Sequence, residues 1–98
     1  MSNHIKLREI SFHTRAYACL HLLVGDRRPK LVINHSDGNI GILCGEHDHP
    51  DPSSYRWIGI GHLLQQHRGL QNVPGIPSGC EAELIAIGWA VRPHDETE

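Results

Sequence analysis

The chain has 98 residues, 39% hydrophobic and 20% charged, with a formal net charge of −2 when its nine histidines are neutral. That length makes one domain, 1–98, with a modest core, and the composition is that of a globular chain. The mild acidity and the lack of a basic run argue against phosphate-tracking nucleic-acid binding, and no apolar run approaches the roughly 18–20 residues of a membrane helix.

Residues 1–14 are weakly patterned and read as a peripheral N-terminal arm with a short strand at Ile5–Ile10. The polar start Met1-Ser2-Asn3-His4 lacks the apolar segment of a signal peptide, so a cytoplasmic protein is expected. Tyr17–Val24 reads as a strand, and Gly25-Asp26-Arg27-Arg28-Pro29 carries turn chemistry. Lys30–His35 is rich in β-branched residues and reads as a second strand. Asp37-Gly38 between apolar runs is a strong hairpin signal, leading into a third strand at Ile40–Cys44.

Residues 45–54, with Pro50 and Pro52, read as a polar loop. Tyr55–Ile60 alternates as a fourth strand would, and Gly61–Arg68 reads as a short helix closed by Gly69 at C′. Residues 70–80 hold two prolines and two glycines and read as a loop. Glu81–Val91 mixes strand alternation with Ala/Glu/Leu content, and the closing strand is preferred. Residues 92–98 form an acidic tail, peripheral to the domain. The predicted fold is α+β: an antiparallel β-meander of three to five strands with one or two short helices.

The densest chemistry lies at Cys44-Gly45-Glu46-His47-Asp48-His49, read with Cys19-Leu20-His21. Thiols and imidazoles at this density suggest zinc, with Cys19, His21, Cys44 and His47 or His49 as ligands. A two-residue turn at Asp37-Gly38 tests that idea on paper. It places Ile33 opposite Ile42 and Leu31 opposite Cys44. One face then gathers Leu20, Leu22, Val24, Leu31, Ile33, Ile42 and Cys44. Cys19 and His21 fall on the other face. On this register Cys44 is a core residue turned away from Cys19 and His21.

Three widely spaced cysteines, an odd number, suit reduced thiols rather than a disulfide framework. A thiol enzyme would need Cys19 or Cys44 activated by a histidine and oriented by a third group. His21, His47 and Asp48 are at hand, but no nucleophile motif surrounds them, so no enzyme is expected. Gly59-Ile60-Gly61 lacks the third glycine and the lysine of a phosphate loop. Glu46, His47, Asp48, His49, Arg56, Trp57 and His62 make the candidate binding surface, because Trp and Arg anchor protein interfaces.

The order Cys19-x-His21, Arg28-Pro29, His35-Ser36-Asp37-Gly38, Leu43-Cys44-Gly45, Asp48-His49, Gly61-His62, Cys80-Glu81-Ala82-Glu83 and Gly88-Trp89 resembles a family of small, uncharacterised bacterial proteins of about a hundred residues. The chain departs from that pattern at Ile40, where the family carries tryptophan, and at Leu84, where it carries arginine. The resemblance implies a small α+β cytoplasmic domain and brings no activity with it. Related-looking small domains include immunity proteins that neutralise bacterial toxins. The expectation is therefore a non-enzymatic protein-binding domain without a cofactor, with a toxin-neutralising immunity protein as its specific form. A zinc module is the alternative. Pairing of an exposed edge strand would make a homodimer.

Overall fold

A computed structural model describes residues 5–10, 13–25, 27–45 and 55–94. Six strands form one mixed sheet, in the order β4-β1-β3-β2-β5-β6. They are β1 (Arg15–Cys19), β2 (Leu31–Asn34), β3 (Ile40–Leu43), β4 (Tyr55–Gly59), β5 (Cys80–Ile85) and β6 (Gly88–Pro93). Helix α1 (Leu20–Leu23) is a single turn, and α2 (Ile60–Gln66) is longer. The fold is α+β as expected, but the sheet is mixed and larger than the expected meander.

The apolar run at 17–24 is half strand and half helix. Its first part pairs as β1, and Leu20-His21-Leu22-Leu23 then turns helical, with the Val24 amide bonding the Leu20 carbonyl at 3.0 Å. Leucines favour a helix as readily as a buried strand, and Gly25 at φ 84° supplies the left-handed residue that ends the turn. β1 consequently does not pair with β2. It runs parallel to β3 and antiparallel to β4.

The β2–β3 hairpin forms where expected, with its register moved by one residue. Val32 faces Ile42 and Asn34 faces Ile40, and the His35 amide bonds the Asn39 carbonyl at 2.9 Å. The loop is Ser36-Asp37-Gly38, three residues rather than two. The Asp37 carboxylate accepts the Asn39 amide at 3.0 Å, and Gly38 takes φ 94°. That is the three-residue hairpin closed by a left-handed glycine. A one-residue slip turns every side chain over, so Val32 rather than Ile33 joins Ile42 on the core face.

The core face is Ala16 and Ala18 of β1, Val32 of β2, Ile40 and Ile42 of β3, and Ala82 of β5. All are buried against Leu22 of α1, Ile60 and Leu63 of α2, and Leu70, Val73 and Ile76 beyond it. Val24, expected in the core, is 69% exposed. Leu7 is fully buried and Ile5 bridges Ile76, so this part of the expected peripheral arm is built into the domain. Helix α2 stops at Gln66, with His67 as its C-cap. Gly69 lies inside a 3-10 turn, Arg68–Asn72, rather than closing the helix.

The expected closing strand 81–91 is instead the β5–β6 hairpin, in which Ile85 faces Gly88 around Ala86-Ile87. Neither turn residue is a turn former, and the local mark is Gly88 just after them, at φ 131°. The head of the expected tail, Arg92–Pro93, belongs to β6. No helix of the described residues is long and apolar enough to cross a membrane.

Candidate metal centre

Two adjacent parallel strands end side by side. Ala18 of β1 lies beside Ile42 of β3, so Cys19 and Cys44 both sit at the strands' C-terminal ends. The helical turn that follows Cys19 brings His21 back to the same place. One ligand atom from each of Cys19, His21 and Cys44 lies within 4.8 Å of the other two. The sequence reading had turned Cys44 away from Cys19 and His21. Cys44 is buried as expected, and it is the helical turn at 20–23 with the parallel β1–β3 pairing that brings His21 and Cys19 to it. Both thiols are buried, at 0% and 1% exposure, and His21 is half-buried. His47 and His49, the other predicted ligands, lie outside the described residues, as do Glu46 and Asp48.

Arg27 borders the site. The Arg27 guanidinium donates from Nη1 to Cys44 Sγ at 3.5 Å and approaches His21 Nδ1 at 3.4 Å. A guanidinium only donates, so that contact leaves the lone pair on Nδ1 and the ring proton on Nε2. Burial pushes the Cys19 thiol up, while the backbone N–H groups of Leu22 and Cys44 pull it the other way. Tyr55, opposite Cys19 on β4, has its hydroxyl pushed up by burial and by the negative charge that Cys19 and Cys44 would carry. None of the three cysteines is in a disulfide. Cys80 is not in the cluster.

The raised Cys19 thiol gives a stability prediction for the metal-free protein. Its folded state prefers the neutral thiol, so the unfolded chain ionises first, near the ordinary value of 9.0. The stabilisation is complete below that pH and disappears as pH rises through the folded value. Urea melts should therefore show stability falling as pH rises past the ordinary value of 9.0, with a shallower fall in Cys19→Ala. Equal slopes in the two proteins would contradict this.

The predicted binding surface does not form one patch among the described residues. Arg56 and Trp57 are neighbours on β4 and point to opposite faces, Arg56 paired with Ala18 and Trp57 with Tyr17. Trp57 is 52% exposed, and His62 is exposed on α2.

A second constellation crosses the face of the sheet opposite the core. One transverse row runs Trp57, Tyr17, Gly41, Ile33, Glu81 and Arg92 through all six strands. Glycine at 41 lets the Tyr17 ring lie across β3, because a Cβ there would overlap it. The Tyr17 hydroxyl and His35 Nε2 are 2.6 Å apart, and the His35 ring meets His94 edge-on at 5.2 Å. His94 Nδ1 lies 2.6 Å from Glu81 Oε1, and Arg92 binds Glu81 Oε2 and Glu83 Oε1 at 2.6 and 2.8 Å. Buried Glu81 is thus held by a cation and an imidazole, as a buried carboxylate requires. Sequence reasoning missed this set. The residues are far apart in sequence, and only the strand order brings them into line.

No family model matches the chain, and neither the curated proteins nor the solved structures contain a match to it.

Proposed function

We propose that this domain is a zinc-binding module whose ion is held by Cys19, His21 and Cys44. The observation that carries the reading is the convergence of two buried thiols and an imidazole within 4.8 Å. Zinc takes thiolate at about 2.3 Å and imidazole at about 2.0–2.1 Å, so tetrahedral geometry sets its ligand atoms about 3.5–3.8 Å apart. The cluster therefore needs to contract by no more than about 1.3 Å. Arg27 fits as an outer hydrogen-bond donor to the Cys44 sulfur, a role that fixes ligand orientation. The fourth position is left for a water or for a residue after Cys44, and His47 and His49 follow it closely in sequence.

Elemental analysis of protein purified without chelators should find one zinc per chain. X-ray absorption should show two sulfurs in its first shell. A protein that carries no zinc and takes up none on titration would sink the proposal.

A second reading, contact with a protein partner, has its own support. The β5–β6 hairpin displays Ile85 at 42% and Ile87 at 94% exposure, with Leu84 and Val91 beside them. Exposed apolar side chains gathered on one hairpin suit an interaction site. The partner class we favour on this reading is a protein toxin, by analogy with small immunity domains. Ile87→Lys should leave stability within about 0.5 kcal/mol, since the side chain touches little, and should abolish co-purification of the partner. Retention of a partner by that variant would remove the hairpin from the interface.

A further inference from the structure

A cavity of about 400 Å³ opens where the Arg28-Pro29 turn, the end of α2 and the β5–β6 hairpin meet. We propose that it binds a small organic anion with a flat apolar body, an aryl phosphate or aryl carboxylate. This inference does not depend on zinc.

The cavity's volume falls within the range of small-molecule sites, roughly 300–1,000 Å³. Its walls are of two kinds. Arg28 and Arg68 bring two guanidinium groups, whereas Pro29, Leu84 and Trp89 supply apolar and aromatic surface. Among the described residues no aspartate or glutamate lines it. Acidic residues outnumber lysine and arginine in this chain by 11 to 9, so two arginines at one cavity with no carboxylate among its described lining residues are a local charge excess. Among the described residues neither of them has an ion-pair partner. Arg92, by contrast, is engaged with Glu81 and Glu83.

A planar guanidinium presents paired N–H donors that match a phosphate or carboxylate edge. The half-buried indole of Trp89 offers a face on which an aromatic ring can stack. Neither feature alone selects a ligand. Together they ask for negative charge at one end and a flat hydrocarbon at the other. The cavity also has a firm floor. Gln66 Nε2 donates to the Leu22 and Leu23 carbonyls at 3.0 and 3.2 Å, and His67 Nε2 lies 2.9 Å from the Leu22 carbonyl. These bonds tie the end of α2 to α1 and preform the wall that the ligand would meet.

The test uses the full chain with Trp57→Phe, so that Trp89 alone reports by fluorescence. Phenyl phosphate should quench Trp89 saturably, and rising salt should weaken the binding. Arg28→Gln and Arg68→Gln should each raise the Kd by about tenfold, the loss of one charge-assisted contact. Both arginines are exposed, so the variants should keep their fold. Inorganic phosphate should bind at least about tenfold more weakly than phenyl phosphate, for want of the ring. Three results would each overturn the proposal: phenol binding as tightly as phenyl phosphate, inorganic phosphate binding equally well, or affinity unchanged in both arginine variants.

Discussion

Replacing Cys44 by alanine should lower zinc affinity by more than about 100-fold, whereas Arg27→Ala should lower it by about 10- to 100-fold. The two magnitudes separate a ligand from its support. Removal of an outer-shell partner typically costs 10- to 100-fold in metal affinity, and removal of a ligand costs more. Cys80→Ala should leave affinity unchanged, because Cys80 stands outside the cluster. Competition titration against a chromophoric chelator measures all three. Equal affinities for the Cys44 and Cys80 variants would end the metal reading.

Zinc should raise the stability of the native protein by about 4 kcal/mol at a free concentration 1,000 times its Kd. Its removal should leave the chain folded. Cys19 and Cys44 belong to a core whose bulk is the apolar packing of Leu7, Ile42, Ile60, Leu63, Leu70 and Ile76, which needs no ion. A chelator should therefore lower the melting temperature while leaving the far-UV circular dichroism of the cold protein unchanged. Affinity should also climb with pH. Both thiols must lose protons to bind, and burial makes Cys19 hold its proton more tightly than a free thiol does.

Much of the fold was legible locally, and the parts that were not share one cause. The β2–β3 hairpin could be read because Asp37-Gly38 interrupts two apolar runs. Its loop length could not, because two- and three-residue hairpins both accept Asp-Gly, and Asp37 decides between them through its bond to the Asn39 amide. The helical turn at Leu20–Leu23 was hidden because a short leucine-rich run fits a helix and a strand equally. The β5–β6 turn was missed because Ala86-Ile87 carries no turn chemistry and its local mark, Gly88, follows them. The pairing of β1 with β3 and β4 joins segments that are distant in sequence, and no local pattern encodes it.

The same distinction holds for the site. Its residue types were visible as an unusual density of cysteine and histidine. Their convergence was not, because Cys19 meets Cys44 only through the β1–β3 pairing of distant segments, and a helical turn at 20–23 redirects His21. The Tyr17–His35–His94–Glu81 line left no local trace, since each member belongs to a different stretch of the chain.

That line supplies the second large effect, at Gly41. Gly41→Val should destabilise the protein by about 1–3 kcal/mol, the usual cost of overpacking a well-filled position. Added atoms at 41 would collide with the Tyr17 ring, which crosses β3 at that point. Either the ring moves and loses His35, or the sheet opens. Tyr17→Phe should cost less, about 0.5–1.5 kcal/mol, because only the hydroxyl's hydrogen bond is lost while the ring stays in place. The decisive experiment is the double-mutant cycle with Tyr17→Ala. With the ring gone, a side chain at 41 has room, and a strand interior prefers a Cβ to glycine by roughly 0.5–1 kcal/mol. The penalty of Gly41→Val should therefore shrink or change sign in the Tyr17→Ala background, a coupling well outside the roughly 0.3–0.5 kcal/mol scatter of independent sites. Urea denaturation of the four proteins gives each term. Simple additivity would mean that glycine stands at 41 for some reason other than the ring above it.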